Sequence, residues 1–229
     1  KTNAPPALFA AEALGLGLLR ATDTFRIPQV IAHAEATNDT PAYLILEWLE
    51  TPPKTDHKLY AENFGRALAA LHRHTGAAFG LDHDNYVGEL PQHNATSPGW
   101  AAFYRDRRIL VQMEIARHFG YLPPRREKLL EAVMARIEDI LGESGNPPSL
   151  LHGDLWAGNF MVAPGSQPAL VDPAVYYGDR EVEIAFAQMF GGNAFFLDAY
   201  NEAYPLDAGY EYRRPLLQLY PMLVHLNHF

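Results

Sequence analysis

The segment Leu151-His-Gly-Asp-Leu-Trp-Ala-Gly-Asn159 is the most informative stretch of this sequence. It is followed by a short apolar run that ends in an acidic residue, Ala169-Leu-Val-Asp172. Gly153 and Gly158 favour a tightly turned loop, and the apolar run predicts a strand. The sequence therefore predicts a strand–loop–strand unit that brings two aspartates and one asparagine together.

The three polar side chains of this unit suit phosphoryl transfer, in which catalysis rests on positioning and on neutralising the charge of the transferred group. Asp154 can accept the proton of an attacking hydroxyl, so we assign it as the catalytic base. Oxygen atoms such as those of Asn159 and Asp172 are the ligands that Mg²⁺ prefers, so we assign both residues to the metal. ATP and Mg²⁺ are the expected cofactors. For an isolated His-Gly-Asp the alternative is a polar turn between two strands.

The composition limits the class of protein and the kind of partner. The chain has 229 residues, 48% of them hydrophobic, which is typical of a globular protein with one large or two small domains. The absence of cysteine excludes disulfides, thiolate zinc sites and a cysteine nucleophile, and it fits a cytoplasmic protein. A formal net charge of −9 argues against nucleic acid and anionic membranes and favours a cationic small substrate. No apolar run reaches membrane-spanning length, so no membrane partner is expected.

The start of the chain predicts a helix and two strands. A helix is expected over Ala7–Arg20, and strands are expected over Phe25–Ala32 and Ala42–Glu47. The second strand is almost wholly apolar, so we expect it to be buried. Thr51-Pro-Pro53 then interrupts the pattern and predicts a boundary between a first part, residues 1–48, and a second part, residues 49–229.

The second part is predicted to be mainly helical around the strand–loop–strand unit. The spacing of Tyr60, Phe64, Ala67, Leu68 and Leu71 predicts one apolar helix face. A small strand-rich part followed by a helical part with a catalytic hairpin predicts an α+β, bilobal kinase-like fold. The remaining elements expected are helices over Trp100–Phe119 and Arg125–Leu141, strands over Ser149–His152, Phe160–Val162 and Ala169–Asp172, and two or three helices that end with Tyr212–Phe229.

On these residues the chain resembles the fructosamine kinase (ketosamine-3-kinase) family, within the wider aminoglycoside-phosphotransferase-like kinases. The resemblance covers essentially the whole chain. His-Gly-Asp with a downstream aspartate is shared by the wider group, whereas Trp156 and Pro173-Ala174 mark the ketosamine branch. The segments that carry it are KTN (residues 1–3) with Glu12, HGDLWAGN (152–159), VDPAVYYGDREVEIA (171–185) and YPMLVHLNHF (220–229).

The resemblance implies a protein-kinase-like fold and phosphorylation of a sugar hydroxyl of ketosamines, which serves the repair of glycated amines or proteins. The implied partner is therefore a small ketosamine or a glycated amine or protein, and we expect a monomer. The implied nucleotide site has a strand lysine paired with a helix glutamate, here Lys1 and Glu12, and a hinge at Glu47 and Leu49 whose backbone contacts adenine. A frayed terminal charge and a solvated helix residue are the alternatives for Lys1 and Glu12.

The family also implies a glycine-rich strand pair before Lys1, which this sequence lacks. Because the chain starts without Met and ends abruptly at Phe229, we suspect that both ends are cut.

On the acceptor side, Trp156 lies two residues after the proposed base and is expected to form an apolar wall against the sugar. The alternative for Trp156 is a core aromatic behind the loop. Gln92, Asn94 and Trp100 resemble the acceptor-site loop and helix of the family, so they are candidate substrate contacts. A polar surface loop followed by a core-facing aromatic helix is the alternative for these three residues.

Two further residues are expected to support the catalytic loop. The resemblance implies that Glu183, near the start of the next helix, braces the loop through hydrogen bonds. His152 is expected to orient the loop rather than to act as a base.

Two other functions stay open at this point. A kinase for aminoglycosides, choline or another amino-alcohol would share His-Gly-Asp and the metal aspartate, and Trp156 with Pro173-Ala174 argues against it by resemblance. A non-catalytic nucleotide-binding relative would usually have lost at least one of Asp154, Asn159 and Asp172, and all three are present.

Overall fold

The computed structural model describes residues 1, 4–142, 145–189 and 196–229. Among these residues, no helix is long and apolar enough to cross a membrane. The helices are α1 (Leu8–Ala21), α2 (His57–Leu71), α3 (Trp100–Phe103), α4 (Leu110–His118), α5 (Pro124–Met134), α6 (Ile137–Leu141), α7 (Arg180–Ala187), α8 (Leu197–Ala203), α9 (Tyr210–Leu217) and α10 (Leu219–His228). The strands are β1 (Val30–Ala34), β2 (Tyr43–Leu46), β3 (Asn85–Val87), β4 (Leu90–Gln92), β5 (Ser149–Leu151), β6 (Phe160–Ala163), β7 (Gln167–Leu170) and β8 (Tyr176–Gly178).

The strands form antiparallel pairs, in the order β1–β2, β3–β4, β5–β8 and β6–β7. The predicted strand–loop–strand unit is confirmed, because β5 leads into the loop and the β6–β7 hairpin follows it. In that hairpin Phe160 lies opposite Leu170 and Ala163 opposite Gln167. After β7 the chain returns to pair β8 with β5. The loop and the segment after β7 therefore lie side by side.

The first part of the chain contains a helix and two strands, as the sequence predicts, with two corrections. The first strand, β1, covers Val30–Ala34 and not Phe25–Ala32, because Pro28 has no N–H for a strand ladder and Arg26 makes only an isolated bridge to Ala169. The second strand, β2, is not buried: Tyr43 and Ile45 are exposed, whereas Leu44 and Leu46 pack against the core. The pairing of β1 with β2 gives one packed face and one solvent face, so alternate side chains point outward even in an apolar run. An apolar strand in a two-stranded sheet is thus only half covered.

Helix α2 shows how local signals position the second part. The side chain of Asp56 accepts a hydrogen bond of 3.0 Å from the backbone N–H of Leu59 and caps the helix. Tyr60, Phe64, Leu68 and Leu71 lie on the buried face, as the spacing predicts. The link between β2 and α2 contains Thr51-Pro-Pro53. The division of the chain at residue 48 stays a prediction.

Each of the three long predicted helices is interrupted. Trp100–Phe119 is helical, but its centre, Tyr104–Ile109, is a π-helical stretch between α3 and α4. Arg125–Leu141 is divided into α5 and α6 at Ala135 and Arg136, where the sequence has neither Pro nor Gly.

The predicted terminal helix is divided into α9 and α10 at Gln218. Pro221 has no backbone N–H, so it cannot donate to the carbonyl of Leu217 four residues earlier. The hydroxyl of Tyr104 donates to that carbonyl at 2.9 Å instead. The π-helical stretch and the terminal helices are joined at this point.

The first part of the chain contacts the site hairpin directly. The backbone N–H of Arg26 donates to the carbonyl of Pro168, and Leu170 N–H donates to the carbonyl of Arg26. Phe25 and Phe64 pack edge to face nearby, and Phe64 also packs on Phe160. The strand–loop–strand unit is therefore held from both parts of the chain.

Candidate active site

The loop between β5 and β6 places Asp154 and Asn159 in direct contact. The side-chain N–H₂ of Asn159 donates to the backbone carbonyl and to the carboxylate of Asp154, both at 2.9 Å. It also approaches the carbonyl of Asp172 at 3.4 Å. Because the nitrogen faces Asp154, the amide oxygen of Asn159 is left for another ligand. The structure thus brings together the three residues that the sequence assigns to the chemistry.

Gly153 is required where the loop passes the segment after β7. Its φ is +86°, a conformation that disfavours side chains, and an added Cβ would lie 1.9 Å from the carbonyl oxygen of Ala174. On the other side of this contact, Ala174 N–H donates to the carbonyl of His152 at 2.9 Å. The loop and the Asp172 segment are consequently packed backbone against backbone.

Glu183 on α7 braces the loop from below, as the sequence predicts. Its carboxylate accepts hydrogen bonds from the backbone N–H groups of Gly153 (2.7 Å) and His152 (3.1 Å). It also accepts from the ring of His72 at 3.0 Å. Burial acts to raise the pKa of Glu183, but the hydrogen bond and charge of His72 and the loop N–H groups lower it overall. The brace therefore carries a negative charge.

His152 orients the loop rather than acting as a base. It is fully buried, and burial lowers its pKa, so the ring is neutral. Its Nε2–H donates to the carbonyl of Val171 at 2.9 Å, and its Nδ1 accepts from the N–H of Asp154 at 3.3 Å. Both ring nitrogens are engaged, which agrees with the interpretation of the sequence.

The environment of Asp154 suits a group that accepts a proton near neutral pH. Burial, opposed by the hydrogen bond from Asn159 and assisted by the charges of Asp172 and Glu183, raises its pKa to about 6. A carboxylate with this pKa is ionised at pH 7 and is a stronger base than an ordinary aspartate.

Glu12 on α1 lies near Asp172, whose charge acts on it. Burial raises the pKa of Glu12 to about 7, and the charge of Asp172 contributes to this rise. Two ionised carboxylates repel, which favours a proton on one of them. Asp172 itself has a φ of +53°, in the left-handed region, which turns its side chain out of the strand direction.

The expected pairing of Lys1 with Glu12 is corrected by the structure. The ammonium of Lys1 forms its ion pair with Glu89, at 2.6 Å, although its charge still acts to lower the pKa of Glu12. Glu12 is partly protonated near neutral pH and offers less negative charge than Glu89, whose pKa the hydrogen bond and charge of Lys1 lower. Glu89 follows β3 on the β3–β4 hairpin, a position that no sequence signal marks.

Several of these groups line a polar cavity of about 470 Å³, which we call the donor cavity. Its walls include Leu44 and Leu46 of β2. The residues around it that carry polar side chains relevant to the chemistry are Lys1, Glu12, Asn85, Asp154, Asn159 and Asp172.

The donor set of this cavity fits Mg²⁺. Among the described residues, no cluster of three His, Asp or Glu side chains is arranged to hold a metal. Mg²⁺, however, commonly takes only one or two protein ligands and completes its shell with phosphate oxygens and water. The carboxylate of Asp172 and the amide oxygen of Asn159 supply two such oxygen ligands on one wall.

A second cavity, of about 350 Å³, opens on the other side of the catalytic loop, and we call it the acceptor cavity. Asp154, Trp156 and Gly88 line both cavities. The indole of Trp156 is 43% exposed, so it is a cavity wall rather than a core aromatic. The structure thus places the predicted apolar wall beside the proposed base.

Gln92, Asn94 and Trp100, the other candidate substrate contacts, do not reach either cavity. All three are buried. Gln92 and Asn94 hydrogen-bond to Asn85, and Trp100 packs between Phe79 and Phe103. The prediction of direct substrate contact is therefore corrected: these side chains serve the interior, where amides must find partners.

Glu47 and Leu49 lie beyond the end of β2 and do not line the donor cavity, whereas Leu46 does. The N–H of Glu47 donates to the carbonyl of Gln29 at 2.8 Å, and its carboxylate pairs with Arg26. Glu47 N–H is thus already used within the protein. The adenine contact proposed for this hinge stays a prediction that rests on the Glu47 carbonyl and the Leu49 N–H.

The sequence analysis missed two contributors to the site. The ring of His72 is the buried partner of Glu183 and Tyr200. Asn85 lines the donor cavity and holds the segment after Asp172. Contacts across 90 and 111 positions leave no local pattern, so neither role had a signal in a single sequence.

Comparison with known proteins agrees with this geometry. The family model of the fructosamine kinases matches residues 1–229. The chain belongs to the fructosamine kinase family. A probable ketoamine kinase of Synechocystis sp. is 39% identical over 225 residues, which are 97% of this chain and 73% of the relative. The chloroplastic protein-ribulosamine 3-kinase of Arabidopsis thaliana is 34% identical, over 100% of this chain and 70% of the relative.

Solved structures assign the fold of this fructosamine kinase family member. A crystal structure described as a fructosamine-3-kinase, from Thermobifida fusca, matches with a TM-score of 0.88 and 37% identity, over 100% of this chain and 77% of that one. An aminoglycoside phosphotransferase, solved with AMP-PNP and hygromycin B, matches with a TM-score of 0.58 at 18% identity, over 97% of this chain and 78% of that one. The predicted α+β kinase-like fold is confirmed, and the chain is a phosphotransferase that acts on an alcohol group.

Proposed function

We propose that this protein transfers the γ-phosphoryl group of ATP, with Mg²⁺, to a sugar hydroxyl of ketosamines. Free glycated amines and glycated proteins are the proposed partners, and a monomer is the proposed active form. The observation that supports this best is the position of Asp154, which lines both the donor and the acceptor cavity. A base between two chambers can take a proton from a hydroxyl on one side while the phosphoryl group arrives from the other.

The residues of the donor cavity have distinct proposed tasks. Lys1 is positioned to hold nucleotide phosphates, and Asp172 with Asn159 would hold Mg²⁺. The ion supplies charge neutralisation on the phosphates when it is bound. Glu12, which lies near Asp172, gives up its proton when a cation or Lys1 neutralises the pair.

On the acceptor side Asp154 takes the proton of the sugar hydroxyl. Its pKa of about 6 leaves it ionised at neutral pH, and the Asn159 N–H₂ fixes the direction of the carboxylate. Trp156 offers an apolar face to the sugar ring or chain. The brace from Glu183 keeps the loop N–H groups, and with them Asp154, at a fixed depth.

The acceptor cavity also weighs against aminoglycosides. These polycations call for several carboxylates around the acceptor. Among the described residues that line this cavity, Asp154 is the sole carboxylate, and most of the walls are apolar. A ketosamine with one amine suits this charge better.

The test is release of ADP from Mg-ATP in the presence of fructoselysine, ribuloselysine, kanamycin or choline. Turnover confined to the two ketosamines is expected. Turnover of kanamycin or choline alone would place the protein in another branch of the same fold. Bound ATP without turnover of any of the four would contradict the catalytic role of Asp154.

A further inference from the structure

The acceptor cavity is larger and more apolar than a sugar requires. Beyond Trp156 its walls are formed by Val87 of β3, Phe186 of α7, and Pro221 and Val224 of α10. These walls come from elements far apart in sequence, and Val87, Pro221 and Val224 are buried. The core thus forms the apolar walls of this chamber, and the chamber opens to solvent past the exposed His225 and Phe229.

A sugar finds few partners at this depth. Each of its hydroxyls needs a hydrogen bond when it leaves water, and a hydroxyl without a partner weakens binding. The polar groups near Asp154 lie mainly on the donor side, where Asn85, Asn159 and Asp172 are found. The sugar thus finds most hydrogen-bond partners at the mouth of the acceptor cavity, between Asp154 and Trp156.

We propose that the inner chamber binds the substituent on the amine nitrogen of the ketosamine, and that it selects an apolar alkyl or aryl substituent. This inference rests on the proposed function. The amine nitrogen lies only a few bonds from the sugar hydroxyls, so its substituent must enter the chamber when a hydroxyl reaches Asp154. Apolar surface buried there contributes about 25 cal/mol per Å².

The charges around the chamber support the same choice. His225 and His228 are the polar side chains of the inner wall, and the Nε2 of His228 donates to the carbonyl of Val87 at 3.0 Å. Asp154 at the mouth faces the ammonium of the ketosamine itself. A second charge at the far end of the substituent, as in lysine, stays hydrated past the exposed His225 and Phe229, so it gains nothing from the apolar walls.

The experiment compares ketosamines of one sugar made from methylamine, hexylamine, benzylamine and lysine. We expect kcat/KM for the hexyl and benzyl compounds to exceed that for the methyl compound about 10-fold or more, with lysine below benzylamine. Equal kcat/KM for all four would overturn the chamber's role and leave the proposed function intact. No turnover of any would instead contradict the proposed function.

A pair of variants on one helix isolates the chamber wall. Val224→Ala should reduce the benzyl-to-methyl ratio of kcat/KM several-fold, because it removes apolar surface from the wall. Met222→Ala, at an exposed position of α10 outside the cavity, should leave the ratio unchanged. The ratio does not depend on the folded fraction of either variant. An unchanged ratio in Val224→Ala, or an equal loss in both, would overturn the proposal.

A second inference comes from buried amides behind the donor cavity. Asn85, Gln92 and Asn94, which we call the amide cluster, are each 5% exposed or less. Gln92 Nε2 donates to the carbonyl of Ala174 at 2.9 Å, and Asn85 Nδ2 donates to that of Val175 at 2.8 Å. These carbonyls follow Asp172 by two and three residues.

The cluster is itself held on every side. Asn94 Nδ2 and Gln92 Nε2 both donate to Asn85 Oδ1, and the hydroxyl of Tyr220 donates to Gln92 Oε1 at 2.8 Å. Arg108, turned inward by the π-helical stretch, donates to Asn94 Oδ1 at 2.7 Å. Shared acceptors of this kind restrict the positions that each amide can take, although the Nε of Arg108 has no hydrogen-bond partner among the described residues.

We infer that Gln92 and Asn85 are positioning residues that hold Asp172 at its left-handed conformation. A residue with positive φ persists where its surroundings fix the chain on both sides. The catalytic loop fixes one side, through His152 and Gly153, and the amide cluster fixes the other. The amides thereby set where the Asp172 carboxylate stands relative to Asn159.

The test uses Gln92→Met, which keeps volume and removes both the donor to the Ala174 carbonyl and the acceptor for the Tyr220 hydroxyl. It should raise the Mg²⁺ concentration for half-maximal activity about 10-fold, the usual cost of losing support behind a metal ligand, with KM for the ketosamine unchanged. The rise in Tm that Mg-ADP produces should shrink in parallel, as a readout independent of turnover. Gln92→Asn keeps a shorter amide, so it should restore part of the Mg²⁺ response and part of the rise in Tm.

The matched control is Gln112→Met, another buried amide, whose partner is Asn227. It should lower Tm without changing the Mg²⁺ response. A normal Mg²⁺ response in Gln92→Met, or the same change in both variants, would overturn the inference. If Asp172→Ala also left the Mg²⁺ response unchanged, the proposed metal site itself would be the part that failed.

Discussion

The carboxyl groups of Glu12 and Asp172 both line the donor cavity, and burial together with the charge of Asp172 raises the pKa of Glu12 to about 7. One comes from α1 in the first part of the chain and the other from the segment after β7. Because two ionised carboxylates repel, Glu12 holds its proton more tightly than an ordinary glutamate. The charge where the two parts of the chain meet therefore depends on pH.

The first prediction concerns stability. The pKa of Glu12 in the folded protein, about 7, lies above its ordinary value of 4.5. The folded state therefore binds this proton more tightly, and the contribution is fully present below pH 4.5 and lost as the pH rises through 7. At pH 8, with a chelator present, Glu12→Gln should therefore raise Tm, and the gain in the free energy of unfolding should be about 1–3 kcal/mol. At pH 5 the substitution should have little effect.

Thermal denaturation at both pH values measures this difference. Glu131→Gln, at an exposed position of α5, serves as the control and should change neither melting point. A gain for Glu12→Gln that is the same at pH 5 and pH 8 would show that the proton on Glu12 is not the cause.

The second prediction concerns the base. Asp154→Asn keeps an oxygen that accepts from Asn159, so the loop should fold as before. Turnover should nevertheless fall about 10²–10⁴-fold, the usual contribution of a positioned general base, while nucleotide still binds. Steady-state kinetics measure the fall in turnover, and calorimetric titration with ADP measures nucleotide binding. Turnover like that of the unchanged enzyme would remove Asp154 from this role.

The third prediction is the pH profile of kcat/KM. Asp154, with a pKa of about 6, must be ionised to accept a proton, so kcat/KM should fall as the pH drops through 6. Glu12 also titrates close to this range, and the Glu12→Gln variant should retain the acidic limb. If that variant loses the limb, the titrating group is Glu12 and the assignment of the limb to Asp154 is wrong.

The fourth prediction concerns the metal. Asp172→Ala removes one of the two oxygen ligands and should raise the Mg²⁺ concentration needed for activity by about 10-fold or more. A Mg²⁺ titration at saturating ATP measures it. A normal titration curve would show that the ion is held elsewhere. Asp207→Ala, an acidic residue on the far side of α7 that approaches Arg180, should leave the curve unchanged.

The fifth prediction tests the backbone contact at Gly153. Gly153→Ala would place Cβ 1.9 Å from the Ala174 carbonyl oxygen, so it should abolish activity and lower stability. Gly120→Ala is the matched control, because Gly120 also has a positive φ, +75°, but nothing lies within 4 Å of an added Cβ. It should cost only about 1 kcal/mol of backbone strain. Equal losses in both variants would mean that φ alone, and not the contact, makes Gly153 necessary.

The sequence was sufficient for the centre of the site because the chemistry there is local. Asp154 and Asn159 belong to one loop, and Asp172 ends the neighbouring strand, so spacing alone brings them together. The brace from Glu183 followed from the family resemblance. The helix face of α2 followed from a simple apolar period. Apart from Glu183, which lies 30 positions from Gly153, the residues involved are close in sequence or lie on one regular element.

The sequence was insufficient wherever the outcome depended on distant partners. Gln92 and Asn94 look like surface amides, and only the fold shows that Asn85 and Arg108 enclose them. Lys1 was matched to Glu12 by order, but the ion pair forms with Glu89, whose hairpin the sequence did not predict as a neighbour. Strand β2 looked buried because an apolar run does not reveal how many strands will cover it.

The shared boundary of the two cavities has a consequence for inhibitor design. Asp154, Trp156 and Gly88 form both the donor and the acceptor chamber, so ligands in the two chambers meet across a single loop. An adenosine unit and a ketosamine analogue could be joined by a short tether without leaving the protein. The second unit would then bind at an effective concentration in the millimolar range, and the joined compound would gain about 10²–10⁴-fold over either half. In our proposal the apolar inner chamber selects the substituent on the amine. A joined compound with an apolar substituent would therefore bind this enzyme in preference to kinases whose acceptor sites are acidic.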